Sequence, residues 1–144
     1  MFFWKKSRRH TKQYSVSWDA LLEVRFPDFQ DNVKVKVANV SDTGAYIHSK
    51  QIFFNNCLLI SLEQKPDLNL KVFSPNGLFE SIIEIQWYNW SVKQNIYEIG
   101  VEFIYLLKEH RDIIDKVMRS LHKKEKKEFQ FGPFFLSRNV HVQA

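Results

Sequence analysis

Six consecutive residues in the first third of the chain carry an unusual number of hydrogen-bonding groups. They read Asn39-Val40-Ser41-Asp42-Thr43-Gly44. An amide, a carboxylate and two hydroxyls can donate or accept hydrogen bonds, and a glycine allows another molecule to approach the backbone closely or the chain to turn with positive φ. Such a segment can present polar groups to a molecule outside the fold. The competing interpretation is a hairpin turn held by its own hydrogen bonds, because Asn, Ser and Gly are favoured in turns for local reasons.

Basic residues near the N-terminus form a second group of candidate functional residues, whose positive charge could bind an anion. Residues 5–12 include Arg8, Arg9 and Lys12 and show no apolar period, which predicts an arm over residues 1–13. The net charge is +5, concentrated here and at residues 123–127, so an anionic partner is favoured. A solvated terminus is the competing interpretation of this arm. Binding of its aromatic tip and cations to an anionic lipid surface is another.

The elements that must position these groups are short strands. Residues 33–37 alternate Val-Lys-Val-Lys-Val, which is typical of a half-buried strand, and residues 45–47 are apolar, so the segment between them is predicted to be a turn. Ser74-Pro75-Asn76-Gly77 predicts a second turn, with a glycine suited to positive φ. The predicted strands cover residues 20–26, 32–38, 45–48, 57–62, 68–72, 82–87 and 96–103.

After residue 107 the apolar period changes from that of a strand to that of a helix. Apolar residues at helical spacing predict an amphipathic helix over residues 108–126 whose apolar stripe lies on the sheet; they are Ile113, Ile114, Val117, Met118 and Leu121. Many short strands followed by one helix indicate a closed barrel or a sandwich with the helix on an open side. Residues 128–144 contain four phenylalanines, so part of this predicted tail is expected to pack.

Composition excludes several classes of protein. With 144 residues and 44% hydrophobic residues the chain is expected to fold as one domain. Its single cysteine, Cys57, excludes an internal disulfide and a cysteine-based metal site. The five histidines show no metal-ligand spacing and none adjoins an obvious nucleophile. We therefore expect no enzyme, no catalytic residue, no metal and no cofactor. No stretch is apolar enough to span a membrane, and a cytoplasmic protein is expected.

Taken in order, these segments resemble a PilZ domain, the bacterial receptor module for cyclic di-GMP. The family has an Asp/Asn-x-Ser-x-x-Gly loop after its second strand, which residues 39–44 match completely. It also has an Arg-x-x-x-Arg arm before its first strand, which residues 8–12 match with Lys12 in place of the second Arg. Segments similar to later strands of the family end at Trp87 and span residues 97–103, so the resemblance covers roughly residues 8–122.

The resemblance implies a mainly β fold, a six- or seven-stranded antiparallel β-barrel with one C-terminal amphipathic helix, over residues 14–127. It implies a receptor that binds cyclic di-GMP and relays its presence to a protein partner in motility, pilus or secretion machinery. The ligand-binding residues it implies are Arg8, Arg9, Lys12, Asn39, Ser41 and Gly44. Lys12 keeps the positive charge of arginine but lacks the planar fork that binds phosphate or guanine through two hydrogen bonds.

Two alternatives stay open at the level of sequence. Some members of the family lack the arm and act only through proteins, so one alternative is a ligand-free adaptor of the same fold that binds a pilus, flagellar or secretion component through the helix or the aromatic tail. A small β-barrel that binds single-stranded nucleic acid is the other alternative. It is disfavoured because the positive charge lies at the termini and not along a strand face. Trp87 and Gly100 are interpreted as core and close-packing residues.

Overall fold

The computed structural model describes residues 12–54, 57–58 and 65–143, with the backbone alone described for residues 53–54, 57–58 and 127–143. Arg8 and Arg9 lie outside these residues, as do the predicted turn at residues 55–56 and the end of the strand predicted over residues 57–62. In the described part of the chain the elements are β1 Tyr14–Arg25, β2 Gln30–Val40, β3 Gly44–Ser49, β4 Phe53–Phe54, β5 Cys57–Leu58, β6 Asp67–Ser74, β7 Gly77–Ser91, β8 Ile96–Tyr105 and α1 Lys108–Gln143.

Six of these strands form a closed antiparallel barrel in the order β1-β2-β3-β8-β7-β6, with β6 pairing back to β1. The predicted mainly β fold, a barrel with one C-terminal helix, is confirmed. Strands β4 and β5 form a separate two-stranded sheet. The turn predicted between β6 and β7 is also present: Gly77 has φ +130°, and the Ser74 hydroxyl donates to the Gly77 carbonyl oxygen at 2.6 Å.

The core fills the barrel with one face of each strand. Val24, Val37, Ile47, Leu70 and Ile99 are all fully buried, as the alternation of side chains along a strand requires. Strand β1 begins at Tyr14 and not at residue 20 as predicted. The reason is that Tyr14 is buried, and Val16 and Trp18 also pack against the core. The alternation therefore continues through the segment that sequence reasoning assigned to no element.

Strand pairing is irregular at four places in the barrel. The register shifts between Ser15 and Trp18 in β1, between Val37 and Asn39 in β2, and at two places where β7 pairs with β8, Ile82/Ile83 and Ile85/Trp87. Each shift places one additional residue in one strand of the pair, although burial in β1 still alternates from Tyr14 to Ala20. In β2 and β7 the additional residue exchanges the inward and outward faces beyond it. Val37 therefore points inward and Asn39 outward, although the two are separated by a single residue.

Helix α1 packs its apolar stripe on the barrel as predicted. Ile114 and Val117 are buried, and Ile113, Met118 and Leu121 pack against the core. The helix runs to Gln143 and not to residue 126 as predicted. Residues 123–128 are Lys and Glu, which are strong helix formers, so nothing in this segment ends the helix. In the described residues, no helix is long and apolar enough to cross a membrane.

Candidate ligand site on the outer face of the barrel

The turn between β2 and β3 is built around the hydroxyl of Ser41. This residue is 2% exposed. Its Oγ accepts hydrogen bonds from the backbone N–H of Thr43 at 3.3 Å and of Gly44 at 3.2 Å. The Ser41 amide donates to the Gly44 carbonyl oxygen at 2.9 Å. The turn is shorter than the six residues predicted, because Asn39 and Val40 end β2 and Gly44 begins β3.

Gly44 is an extended strand residue and does not have the positive φ that a glycine permits. In the described residues the glycine with positive φ is Gly77. Gly44 is buried and pairs with Glu102 of β8. Of the two roles considered for this glycine, the structure therefore excludes the left-handed turn, and close approach of another group to the backbone remains.

Helix α1 and strand β8 hold the turn from the other side. The Arg111 guanidinium donates from Nη1 to the Asp42 carbonyl oxygen at 2.6 Å. The backbone N–H of Phe103 donates to the Thr43 carbonyl oxygen at 2.8 Å. A loop fixed at both ends and at two internal carbonyls loses little further conformational entropy when it binds a ligand, which favours binding.

Asn39 lies in a row of outward-facing residues that crosses five strands. The row runs Ser15, Asn39, Tyr46, Gly100 and Trp87, each paired with the next. Asn39 and Trp87 face outward because of the register shifts beside them. A half-buried amide therefore shares one surface with two aromatic rings.

The two aromatic rings of this row are held in a fixed arrangement. The Tyr46 and Trp87 rings meet edge to face, with centroids 4.9 Å apart and an interplanar angle of 79°. Trp87 lies over Gly100, because a Cβ at residue 100 would overlap the Trp87 indole. Trp87 is thus a close-packing residue, as predicted, but it packs on the outside of the barrel and not in its core.

Three of the predicted site residues line one narrow cleft, which has no room for a water molecule in this structure. Asn39, Ser41 and Gly44 contribute to the cleft together with Gln13, Tyr46 and the core residues Val40 and Ala45. Gln13 directly precedes β1 and therefore connects the N-terminal arm to that strand. The structure therefore brings the three loop residues together beside Gln13.

Lys12 is the predicted site residue that lies apart from this cleft. Its ammonium group forms an ion pair with Glu125 of α1, with Nζ 3.0 Å from Oε1. The same nitrogen lies 6.0 Å from the centroid of the Tyr14 ring. The side chain of Lys12 is therefore directed toward the helix, whereas Gln13 lines the cleft.

Sequence reasoning did not assign Tyr46 and Trp87 to the site. Both are aromatic residues in strands, which most often indicates core packing. The signal that identifies them is Gly100, a glycine in the interior of a strand that otherwise consists of β-branched, aromatic and Glu residues, since such a glycine often marks the close approach of another group. Its partner could be found only from the strand pairing.

One carboxyl group near the site has a shifted pKa. Lys36 Nζ donates to Asp19 Oδ1 at 2.7 Å, and this hydrogen bond, together with the charge of Lys36, holds the pKa of Asp19 below its usual 3.8. Among the side chains of residues 12–52 and 65–126, which the structure describes, no group of three His, Cys, Asp or Glu could hold a metal ion.

No family model and no curated protein matches the chain. Solved structures do match it. The complex of MrkH from K. pneumonia with c-di-GMP has a TM-score of 0.60 at 16% identity, over 83% of this chain and 55% of that one. The Bacillus subtilis inhibitor of motility MotI/DgrA has a TM-score of 0.57 at 10% identity, over 84% and 52%. The PilZ domain of YcgR from Escherichia coli with c-di-GMP has a TM-score of 0.51 at 10% identity, over 83% and 95%.

The chain has a PilZ-like fold. It spans about half the length of the MrkH and MotI/DgrA chains and nearly all of the YcgR domain. At identities of 10–16% these matches show the fold alone. They confirm the PilZ-like fold that the order of the loop, strands and helix implied. In this PilZ-like barrel those residues join β2 to β3 at the edge of the outer aromatic row.

Proposed function

We propose that this PilZ-like protein is a cyclic di-GMP receptor that acts as a regulatory binding module and passes the signal to a protein partner. The observation that carries the proposal is the outward row in which Asn39 stands beside Tyr46 and Trp87 at a braced loop. Solved PilZ-like structures of MrkH and YcgR contain c-di-GMP, which supports the same ligand class here.

The chemistry of the row suits the ligand. Cyclic di-GMP presents guanine bases and phosphates, so its receptor needs a flat stacking surface, a reader of a guanine edge and cations. Tyr46 and Trp87 supply aromatic surface for a base, and stacking of a base on an aromatic ring contributes about 1–3 kcal/mol. The Asn39 amide offers both a donor and an acceptor to the edge of a base.

The cations of the proposed site come from the arm. Arg9 precedes Gln13 of the cleft by four residues, and four extended residues span at most about 14 Å. Arg8 and Arg9 can therefore reach a ligand on the outer face from where the arm enters β1. Arginine binds phosphate and guanine through paired hydrogen bonds and also stacks on a base.

Isothermal titration calorimetry of the full chain with cyclic di-GMP tests this function. We expect saturable binding, and we expect the double substitution Arg8→Ala/Arg9→Ala to weaken it about a hundredfold, since each residue contributes charge-assisted hydrogen bonds. The charge-matched control is Lys5→Ala/Lys6→Ala, which removes two cations from the same arm and should weaken binding less than about threefold. The absence of heat from folded wild-type protein would refute the proposal. An equal loss of affinity for cyclic di-GMP in the two double variants would refute the proposal that Arg8 and Arg9 contact the ligand.

A ligand-free adaptor is the second candidate function. It is favoured by the position of Lys12, which pairs with Glu125 on the helix and does not line the cleft. An adaptor of this kind would bind its protein partner through the helix or the aromatic tail, so deletion of residues 1–12 should leave that binding intact. In a receptor the same deletion should abolish any dependence of partner binding on cyclic di-GMP.

A further inference from the structure

A second concavity lies on the opposite side of the loop, between the start of β1 and helix α1. It has a volume of about 460 Å³ and is lined by Lys12, Tyr14, Asp42, Met118, Arg119, His122 and Lys123. Pockets for small molecules have volumes of about 300–1,000 Å³. We call this concavity the helix groove. Gln13 and Ser41 line the cleft described above, whereas their neighbours Lys12, Tyr14 and Asp42 line the helix groove.

The helix groove carries positive charge that the described residues do not neutralise. Lys12 is paired with Glu125 at 3.0 Å, and the His122 ring accepts or donates a 3.3 Å hydrogen bond with the Tyr14 hydroxyl. Arg119 and Lys123 stand one turn apart on the same face of α1. No carboxylate among the described side chains, those of residues 12–52 and 65–126, lies within ion-pair distance of either. Two such cations on one wall attract an anion.

The remaining groups of the groove are suited to an organic phosphate more than to a simple ion. Met118 and the Tyr14 ring add apolar surface to the lining. Asp42, the carboxylate in the lining, belongs to the turn between β2 and β3 and can accept a hydrogen bond from a hydroxyl or an N–H of the ligand. Cationic, apolar and acceptor groups in one lining match the parts of a phosphorylated small molecule.

We propose that the helix groove binds a phosphate group of an organic phosphate, with Arg119 and Lys123 as its cationic contacts. Arginine forms paired hydrogen bonds to phosphate, and lysine adds a point charge. The phosphate belongs either to a separate phosphorylated metabolite or to a cyclic di-GMP molecule that extends around the turn. The phosphate site itself does not depend on the proposed function, whereas its assignment to cyclic di-GMP rests on that function.

Lys123 and Lys124 provide a matched pair of test positions. They are neighbours on the same exposed part of α1, and each substitution by alanine removes one positive charge. Only Lys123 lines the groove, because successive residues of a helix point about 100° apart. The full-length wild type, Arg119→Ala, Lys123→Ala and Lys124→Ala proteins would be titrated by calorimetry with inorganic pyrophosphate and, in a second series, with cyclic di-GMP. Circular dichroism would confirm that all four are folded.

We expect pyrophosphate to bind the wild-type protein. Arg119→Ala and Lys123→Ala should each weaken this binding about three- to tenfold, whereas Lys124→Ala should change it less than about twofold. If Lys123→Ala also weakens binding of cyclic di-GMP more than Lys124→Ala does, the bound phosphate belongs to the dinucleotide. If the two variants differ only in binding pyrophosphate, the groove binds a separate ligand. The proposal is overturned if Lys123→Ala and Lys124→Ala behave alike with both probes. If the wild type binds pyrophosphate through Lys123 but does not bind cyclic di-GMP, the proposed receptor function is refuted and the phosphate site in the helix groove is supported.

Discussion

The indole of Trp87 lies over Gly100 on the outer face of the barrel, in the space that any larger residue at position 100 would fill. The two residues are a cross-strand pair of β7 and β8. Tyr46, the partner of Gly100 on β3, meets the edge of the same indole at 4.9 Å. One glycine therefore fixes the position of both rings that we assign to stacking.

Substitution of Gly100 by alanine should displace Trp87. The added methyl group overlaps the indole, and a misplaced group in a close-packed site costs about 1–3 kcal/mol of stability. We expect a lower free energy of unfolding in urea, a shift in the Trp87 contribution to fluorescence, and weaker binding of cyclic di-GMP.

The double variant Gly100→Ala/Trp87→Ala separates this contact from a general effect on the strand. Without the indole the methyl group has room, so the two substitutions should be strongly non-additive. Additive losses of stability in this cycle would show that Gly100 does not act through Trp87.

Substitution of Ser41 by alanine should loosen the turn between β2 and β3. It removes the acceptor for the backbone N–H groups of Thr43 and Gly44, and the loss of a buried hydrogen bond costs about 1–2 kcal/mol. Faster amide hydrogen exchange at Gly44 and weaker ligand binding are the expected results. Ser17, which is exposed on β1, provides the control: Ser17→Ala should change neither quantity. Unchanged exchange at Gly44 in the Ser41→Ala protein would contradict this account of the turn.

Substitution of Lys12 by arginine tests whether the arm can bring this residue to the ligand. In the structure the ammonium group faces Glu125, so binding would require it to leave this exposed ion pair, which contributes less than about 1 kcal/mol. Arginine adds the paired hydrogen bonds that lysine lacks, and we expect binding of cyclic di-GMP to become about three- to tenfold tighter. Calorimetry measures the change. An unaltered affinity would show that residue 12 makes no contact with the ligand.

The pKa of Asp19 should depend on Lys36 and much less on Lys34. Lys36 lowers the pKa by a hydrogen bond and by its charge, whereas Lys34 contributes only a smaller charge effect. A depressed pKa in the folded state gives a contribution to stability that is present above the usual value of 3.8 and lost as the pH falls through the folded pKa. In an NMR titration, Lys36→Met should raise the pKa of Asp19 toward 3.8 more than Lys34→Met does. Equal shifts would contradict this assignment.

Sequence patterns were sufficient to predict the barrel because its strands follow simple alternation. The apolar positions of β2, β6 and β8 predicted strands that the structure contains, and residues 39–44 predicted a connection between β2 and β3. The spacing of Ile113 and Ile114 with later apolar residues predicted the face of α1 that packs on the barrel. These features depend on local periodicity, which the sequence contains directly.

The outward direction of Asn39 and Trp87 could not be predicted in the same way. It depends on additional residues in β2 and β7 that shift the register against β3 and β8. A single sequence does not show where a bulge interrupts the alternation, because the bulge is defined by two paired strands. The direction of Lys12 depends in turn on Glu125, which is 113 residues away in the chain and comes close only in the folded protein.

The most direct test of the proposed receptor site is a two-dimensional ¹H–¹⁵N NMR titration of the full-length protein with cyclic di-GMP. The account predicts saturable shifts of the Asn39 side-chain amide, the Trp87 indole N–H, and the backbone amides of Gly44, Tyr46 and Gly100. The Lys71 and Asn76 amides, on and beyond the distant strand β6, should not move. A well-dispersed spectrum in which the signals of Asn39 and Trp87 stay unchanged at saturating ligand would contradict it.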